Sequence, residues 1–161
     1  MLPSPAVGEE GLVTGYASLF GVIDKNGDVV MPGAFRSSLA ARPPRDIKFL
    51  FQHDPKEPIG VWLDMREDER GLRVIGRLLA GVTRAREAYQ LIKAGALDGL
   101  SIGFQASSAQ RAQRGRLRQL FAIDLWEISL VTFPMLPGAR LAALGPTPAR
   151  LLPAASRSAT V

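Results

Sequence analysis

Apolar positions in this chain recur mostly in short alternating runs separated by turn residues, a pattern that predicts strands more often than helices. Residues 12–20 mix β-branched, aromatic and small side chains in the manner of a strand. Asp24-Lys25-Asn26-Gly27-Asp28 is an Asn-Gly type of turn that leads into a second strand. Met31-Pro32-Gly33 breaks the pattern, and residues 34–41 predict a short helix that must stop by Arg42, ahead of Pro43 and Pro44. Residues 46–53 are a strand rich in aromatics. Residues 59–65 and 72–79 form a hairpin around the charged turn 66–71, in which Gly71 is expected to supply a positive φ.

The clearest helix follows. Thr83 is the expected N-cap, Ala85, Ala88, Tyr89 and Ile92 share one face, and Gly95 is the expected terminator. Two further strands, 100–105 and 120–133, flank an arginine-rich connection. The tally is mainly β (α+β), an antiparallel β-barrel with one or two flanking helices. Residues 1–144 make one domain with a frayed start over 1–10. From 145 to 161 the chain has prolines and small residues but nothing with which to build a core, so a disordered tail is expected.

Composition narrows the chemistry. With 47% hydrophobic and 22% charged residues, the 161-residue chain has the makeup of a globular domain. No run approaches the roughly 20 apolar residues of a membrane span, and Met-Leu-Pro-Ser-Pro does not open a leader, so a cytoplasmic, unanchored protein is expected. Cysteine is absent and histidine occurs once, which removes thiol chemistry and leaves no ordinary zinc ligand set, so neither metal nor cofactor is expected. The net charge of +5 raises nucleic-acid binding. Its distribution argues for a solvated loop instead: Arg111, Arg114, Arg116 and Arg118 share one polar connection with no aromatic platform between them.

The candidate chemistry is a base-activated hydroxyl. The single histidine, His53, lies in Phe51-Gln52-His53-Asp54, and Ser101 lies in Gly99-Leu100-Ser101-Ile102-Gly103-Phe104. Serine is a weak nucleophile until a neighbouring imidazole takes its proton. Alternation puts Leu100, Ile102 and Phe104 on the core face of one strand and Ser101 with Gly103 on the other, with little beside Ser101 to block a substrate. In the later strand the same rule turns Trp126, Ile128 and Leu130 inward and Glu127 with Ser129 outward. Periodicity is neutral about His53, because its strand phase ends if the strand stops near Phe51. A base needs an orienting partner, and Glu127, the lone carboxylate of an apolar strand, is the choice over Asp54, Asp98 and Asp124.

The motifs Gly15-Tyr16-Ala17-Ser18-Leu19-Phe20, Met31-Pro32-Gly33-Ala34-Phe35, the His53 and Ser101 segments, and residues 125–134 come in one fixed order. In that order the chain resembles the prohead protease family of tailed phages and gene transfer agents, serine peptidases similar in fold to herpesvirus assemblin. The resemblance implies a herpesvirus-protease-type barrel, Ser101 as nucleophile and His53 as base. A Ser-His-His set is impossible with one histidine, so the third member must be an acid, for which Glu127 is the choice, or be missing. It also implies a substrate, the scaffold segment of the major capsid protein and the protease itself, cut inside the procapsid in the host cytoplasm, with a homodimer as a further expectation. The competing reading is a non-catalytic assembly or scaffolding factor on the same barrel. A DNA-associated basic protein ranks last.

Overall fold

The computed structural model describes residues 11–111, 115 and 117–142. The tail expected from 145 and the frayed start expected over 1–10 both lie outside the described residues. The described residues contain seven strands, two α-helices and a 3-10 turn at Pro44–Asp46: β1 (Leu12–Leu19), β2 (Asp28–Val30), α1 (Arg36–Ala41), β3 (Lys48–Phe51), β4 (Asp54–Glu67), β5 (Gly71–Leu78), α2 (Thr83–Lys93), β6 (Gly99–Arg111) and β7 (Arg118–Val131). The strands curl into one sheet of order β1-β5-β4-β3-β7-β2, with β6 on the other edge of β7.

The sheet nearly meets itself. Between β6 and β1 a short segment bonds to both sides: it accepts at Ala139 O from Leu100 N and at Arg140 O from Tyr16 N, and donates from Leu141 N to Asp98 O and from Ala142 N to Thr14 O. Gly15 faces Leu141 there and Gly99 faces Arg140. The interior is apolar, with Trp62 stacked on Phe49 at 4.1 Å between ring centres. Gly76 makes room for that pair, since a Cβ on it would lie 2.6 Å from the Trp62 ring.

Pairings depart from an all-antiparallel barrel at β7. That strand runs parallel to β2 through Asp28↔Arg118 and parallel to β3 through Lys48↔Glu127 to Phe51↔Leu130. Between these two stretches its edge would be unpaired, and buried backbone groups need partners. The α1 region fills the gap. Ala34 O accepts from Ile123 N, Ser38 Oγ donates to Ile123 O at 2.6 Å and accepts from Leu125 N at 2.8 Å, and Arg42 reaches Leu125 O. Short-range pattern cannot reveal such a plug, because it joins residues more than 80 positions apart.

Several local expectations are corrected. Thr83 opens α2 as its first residue, with Val82 at the N-cap and no side-chain cap bond. Gly71 does not have a positive φ; its hydrogen side instead faces Leu19 Cα, where a Cβ would sit at 2.9 Å. The turn is held by Asp68 Oδ1, which accepts from the N–H groups of Arg70 and Gly71. Trp126 is 51% exposed rather than inward. The register slips there, pairing Gly103 with Glu127 but Phe104 with Leu125, so Trp126 is the extra residue of a β-bulge. Gly95 does terminate α2 at φ +74°, with Ala96 N donating to Leu91 O and Gly95 N to Ile92 O.

Candidate active site

His53 stands at the tip of the β3–β4 hairpin. Phe51 pairs with Asp54, so the connection is the two residues Gln52 and His53. Both take positive φ, 54° and 59°, the pattern of a type I′ turn. The alternating phase of β3 ends at Phe51, and the turn swings the imidazole off the core face. Two adjacent non-glycine residues in the left-handed region carry strain that neighbours must hold in place. The holders are on β7 and the residue that follows it. Gln52 N donates to Leu130 O at 2.9 Å, its side-chain amide donates to Thr132 Oγ1 at 2.7 Å and accepts from Thr132 N, and His53 N donates to Ser129 Oγ at 3.0 Å.

The His53 ring is engaged through Nδ1, which bonds Glu127 Oε1. The other carboxylate oxygen, Oε2, accepts from Ser129 Oγ at 2.7 Å. Glu127 is well covered, with its side chain 14% exposed, whereas that of His53 is 42% exposed. The hydrogen bond to Glu127 raises the His53 pKa above the usual histidine value; burial opposes the rise and the Glu127 charge adds to it. With Nδ1 committed to the carboxylate, Nε2 is the nitrogen left to exchange protons.

Across the β6–β7 ladder Ser101 pairs with Ser129 and Gly103 with Glu127. Directly opposed residues share a face, so all four point to the side that carries His53. Gly103 is the seat of the glutamate: a Cβ there would lie 2.7 Å from both Glu127 Cγ and Cδ and nearer still to Oε1. The glycine lets the carboxylate lie flat across β6 on its way to the imidazole.

Ser101 and His53 line one cavity of about 130 Å³, with Leu100, Ile102 and Phe104 from β6 and Val22 and Met135 from the covering segments. Ser101 is therefore the 6%-exposed floor of a recess and not a bare outer position. One wall is the segment before β2. Asp24 Oδ1 accepts from the N–H groups of Asn26 and Asp28, and buried Asp28 takes Arg118 in a two-point ion pair at 2.7 Å per contact. Arg118, expected in a solvated cluster, thus braces the cavity wall.

The carboxylates set aside in favour of Glu127 are occupied elsewhere. Asp54 accepts from Lys56 N, Asp98 pairs with Arg140, and Asp124 pairs with Arg42 and accepts from Trp126 Nε1. Among the described residues no three His, Cys, Asp or Glu side chains gather as a metal site. Two participants escaped the sequence reading, Ser129 and Gly103. Each left a signal: Ser129 is two positions from Glu127 on one strand face, and Gly103 is two from Ser101.

Known proteins similar to this chain are found by both sequence and fold. The chain is 36% identical over 140 residues to the prohead protease of Enterobacteria phage HK97, covering 85% of this chain and 61% of that protein. It therefore spans about three fifths of that relative's length. The capsid assembly protease of bacteriophage T4 superposes with a TM-score of 0.58 at 14% identity, covering 74% of this chain and 80% of that one. KSHV protease, solved with a hexapeptide phosphonate inhibitor, superposes with a TM-score of 0.54 at 14% identity, covering 81% of this chain and 63% of that one. These two likenesses establish the herpesvirus-protease type of fold. Residues 2–147 match the family described as caudovirus prohead serine protease, and with nearly all of the chain inside that match, it belongs to this family.

Proposed function

We propose that the protein is a serine endopeptidase with Ser101 as nucleophile, His53 as general base and Glu127 as the group that orients the base. The observation that carries this reading is the bond from His53 Nδ1 to Glu127 on an imidazole that shares its cavity with Ser101. In the reaction, Nε2 takes the Ser101 proton as Oγ attacks the scissile carbonyl. The imidazolium, stabilised by the Glu127 carboxylate, then protonates the leaving amine as the C–N bond breaks. Water, deprotonated by the same Nε2, attacks the acyl ester, and Ser101 recovers its proton as the acid product leaves. The exposed apolar side chains of Val22 and Met135, which line the same cavity, suit an apolar side chain beside the scissile bond.

The substrates are the scaffold segment of the major capsid protein and the protease itself, cut inside the procapsid within the host cell. Membership in the prohead protease family supports this assignment. Co-expression with the cognate coat protein tests it by mass spectrometry: coat truncation with the wild type and its loss with Ser101→Ala and His53→Ala are expected. Coat protein that stays full length while particle assembly still depends on this chain would establish the non-catalytic assembly factor instead.

A further inference from the structure

Ser129 is fully buried, at 0% exposure, yet its hydroxyl makes two polar contacts that meet at the candidate base. It donates to Glu127 Oε2 at 2.7 Å and accepts from the His53 N–H at 3.0 Å. A hydroxyl has one proton to give. Giving it to Oε2 leaves Oε1 as the oxygen available to the His53 ring, and this is the oxygen that the ring engages. Accepting the His53 N–H anchors a turn whose two residues occupy the left-handed region. One side chain thereby couples the backbone that carries the imidazole to the carboxylate that orients it.

Ser129 cannot serve as a second nucleophile, because it is sealed from the cavity that Ser101 lines. We propose that Ser129 is a positioning residue, whose hydroxyl holds Glu127 and the hairpin tip together and so keeps the His53 proton on Nδ1 and Nε2 aimed at Ser101. The proposal rests on Ser101 and His53 being nucleophile and base, but its structural half is measurable without any substrate.

Because the chain has a single histidine, imidazole nitrogen chemical shifts report His53 alone. In the wild-type full chain at high pH these shifts should show the Nδ1-protonated tautomer, and the His53 amide should be protected from hydrogen exchange. Ser129→Ala should move the shifts toward the Nε2-protonated form, lower the His53 titration midpoint and remove the amide protection. Ser129→Cys, which nearly preserves volume with a weaker hydrogen-bonding group, should shift them part of the way and covers the case in which the alanine variant does not fold. In coat cleavage, kcat should fall roughly tenfold to a hundredfold at unchanged KM, as expected for a misaimed base. A folded variant with wild-type tautomer and midpoint overturns the proposal, as does an unprotected His53 amide in the wild type. Should the wild type cleave nothing while Ser129 still governs the tautomer, the positioning role stands and the peptidase reading falls.

Discussion

Replacing Gly103 with alanine should disable the enzyme while leaving the fold intact. The added Cβ would lie 2.7 Å from Glu127 Cγ and Cδ and nearer still to Oε1, against about 3.4 Å for ordinary contact, so the glutamate must retreat by more than about 0.7 Å or change rotamer. The atoms that must move are the distal part of one side chain, and Gly103 is not among the glycines at positive φ, so alanine fits the backbone. Stability should therefore change by no more than about 1 kcal/mol, with a more restricted unfolded chain offsetting part of the local strain. Activity is more exposed, because the atom that the added Cβ would approach most closely is Glu127 Oε1, the oxygen bonded to His53 Nδ1, so the carboxylate must leave that position and free the ring to adopt its other tautomer. Loss of an orienting carboxylate costs roughly 10²- to 10⁴-fold in kcat, equivalent to about 3–5 kcal/mol of transition-state stabilisation. Coat-protein cleavage kinetics beside a thermal melt of the same preparation separate the two effects. A Gly103→Ala protein with wild-type kcat, or one whose activity falls only in step with its folded fraction, would refute the reasoning.

Other perturbations have equally definite outcomes. His53 must be neutral to act as a base and its pKa is raised by Glu127, so the acidic limb of the kcat/KM profile should lie above the usual value of about 6.5; Glu127→Gln should move it down toward that value. The same raised pKa means that the charged imidazole stabilises the fold fully below about pH 6.5 and that this contribution disappears as pH climbs through the folded-state value, which denaturation of wild type and Glu127→Gln across that window will show. Arg118→Ala strands the buried Asp28 carboxylate and should cost about 2–3 kcal/mol in urea denaturation, the partial exposure of Arg118 holding it below the fully buried case. Trp62→Ala removes a buried ring stacked on Phe49 and should cost about 3–5 kcal/mol, read from the same unfolding curves.

The strands and both helices were legible in the sequence because alternation and punctuation are local. Ile128 and Leu130 turn inward as alternation requires, and Gly95 ends α2 because its positive φ disfavours any side chain. Reading failed where one residue interrupts the count. The bulge at Trp126 turned a large aromatic out to solvent, and periodicity has no means to register an insertion in only one of two paired strands.

The site divides along the same line. From residue types and strand faces alone, the chain specifies one imidazole, a serine two positions from a glycine on either side, and a carboxylate on an apolar strand, which excludes a thiol nucleophile and makes a base-activated hydroxyl a candidate that only the ordered set of motifs favours. Their meeting is a tertiary event. It requires β3 to dock parallel to β7 so that the hairpin tip arrives beside Glu127, a pairing made possible because α1 occupies the gap left between β2 and β3. It also requires Ser129 and Gly103, whose roles exist only across a strand ladder: one bonds a turn 76 positions away, the other is defined by the room it leaves for a neighbour's carboxylate. Local sequence determines which way a side chain faces along its own strand, whereas the partner on the next strand is chosen by the packing of the whole sheet.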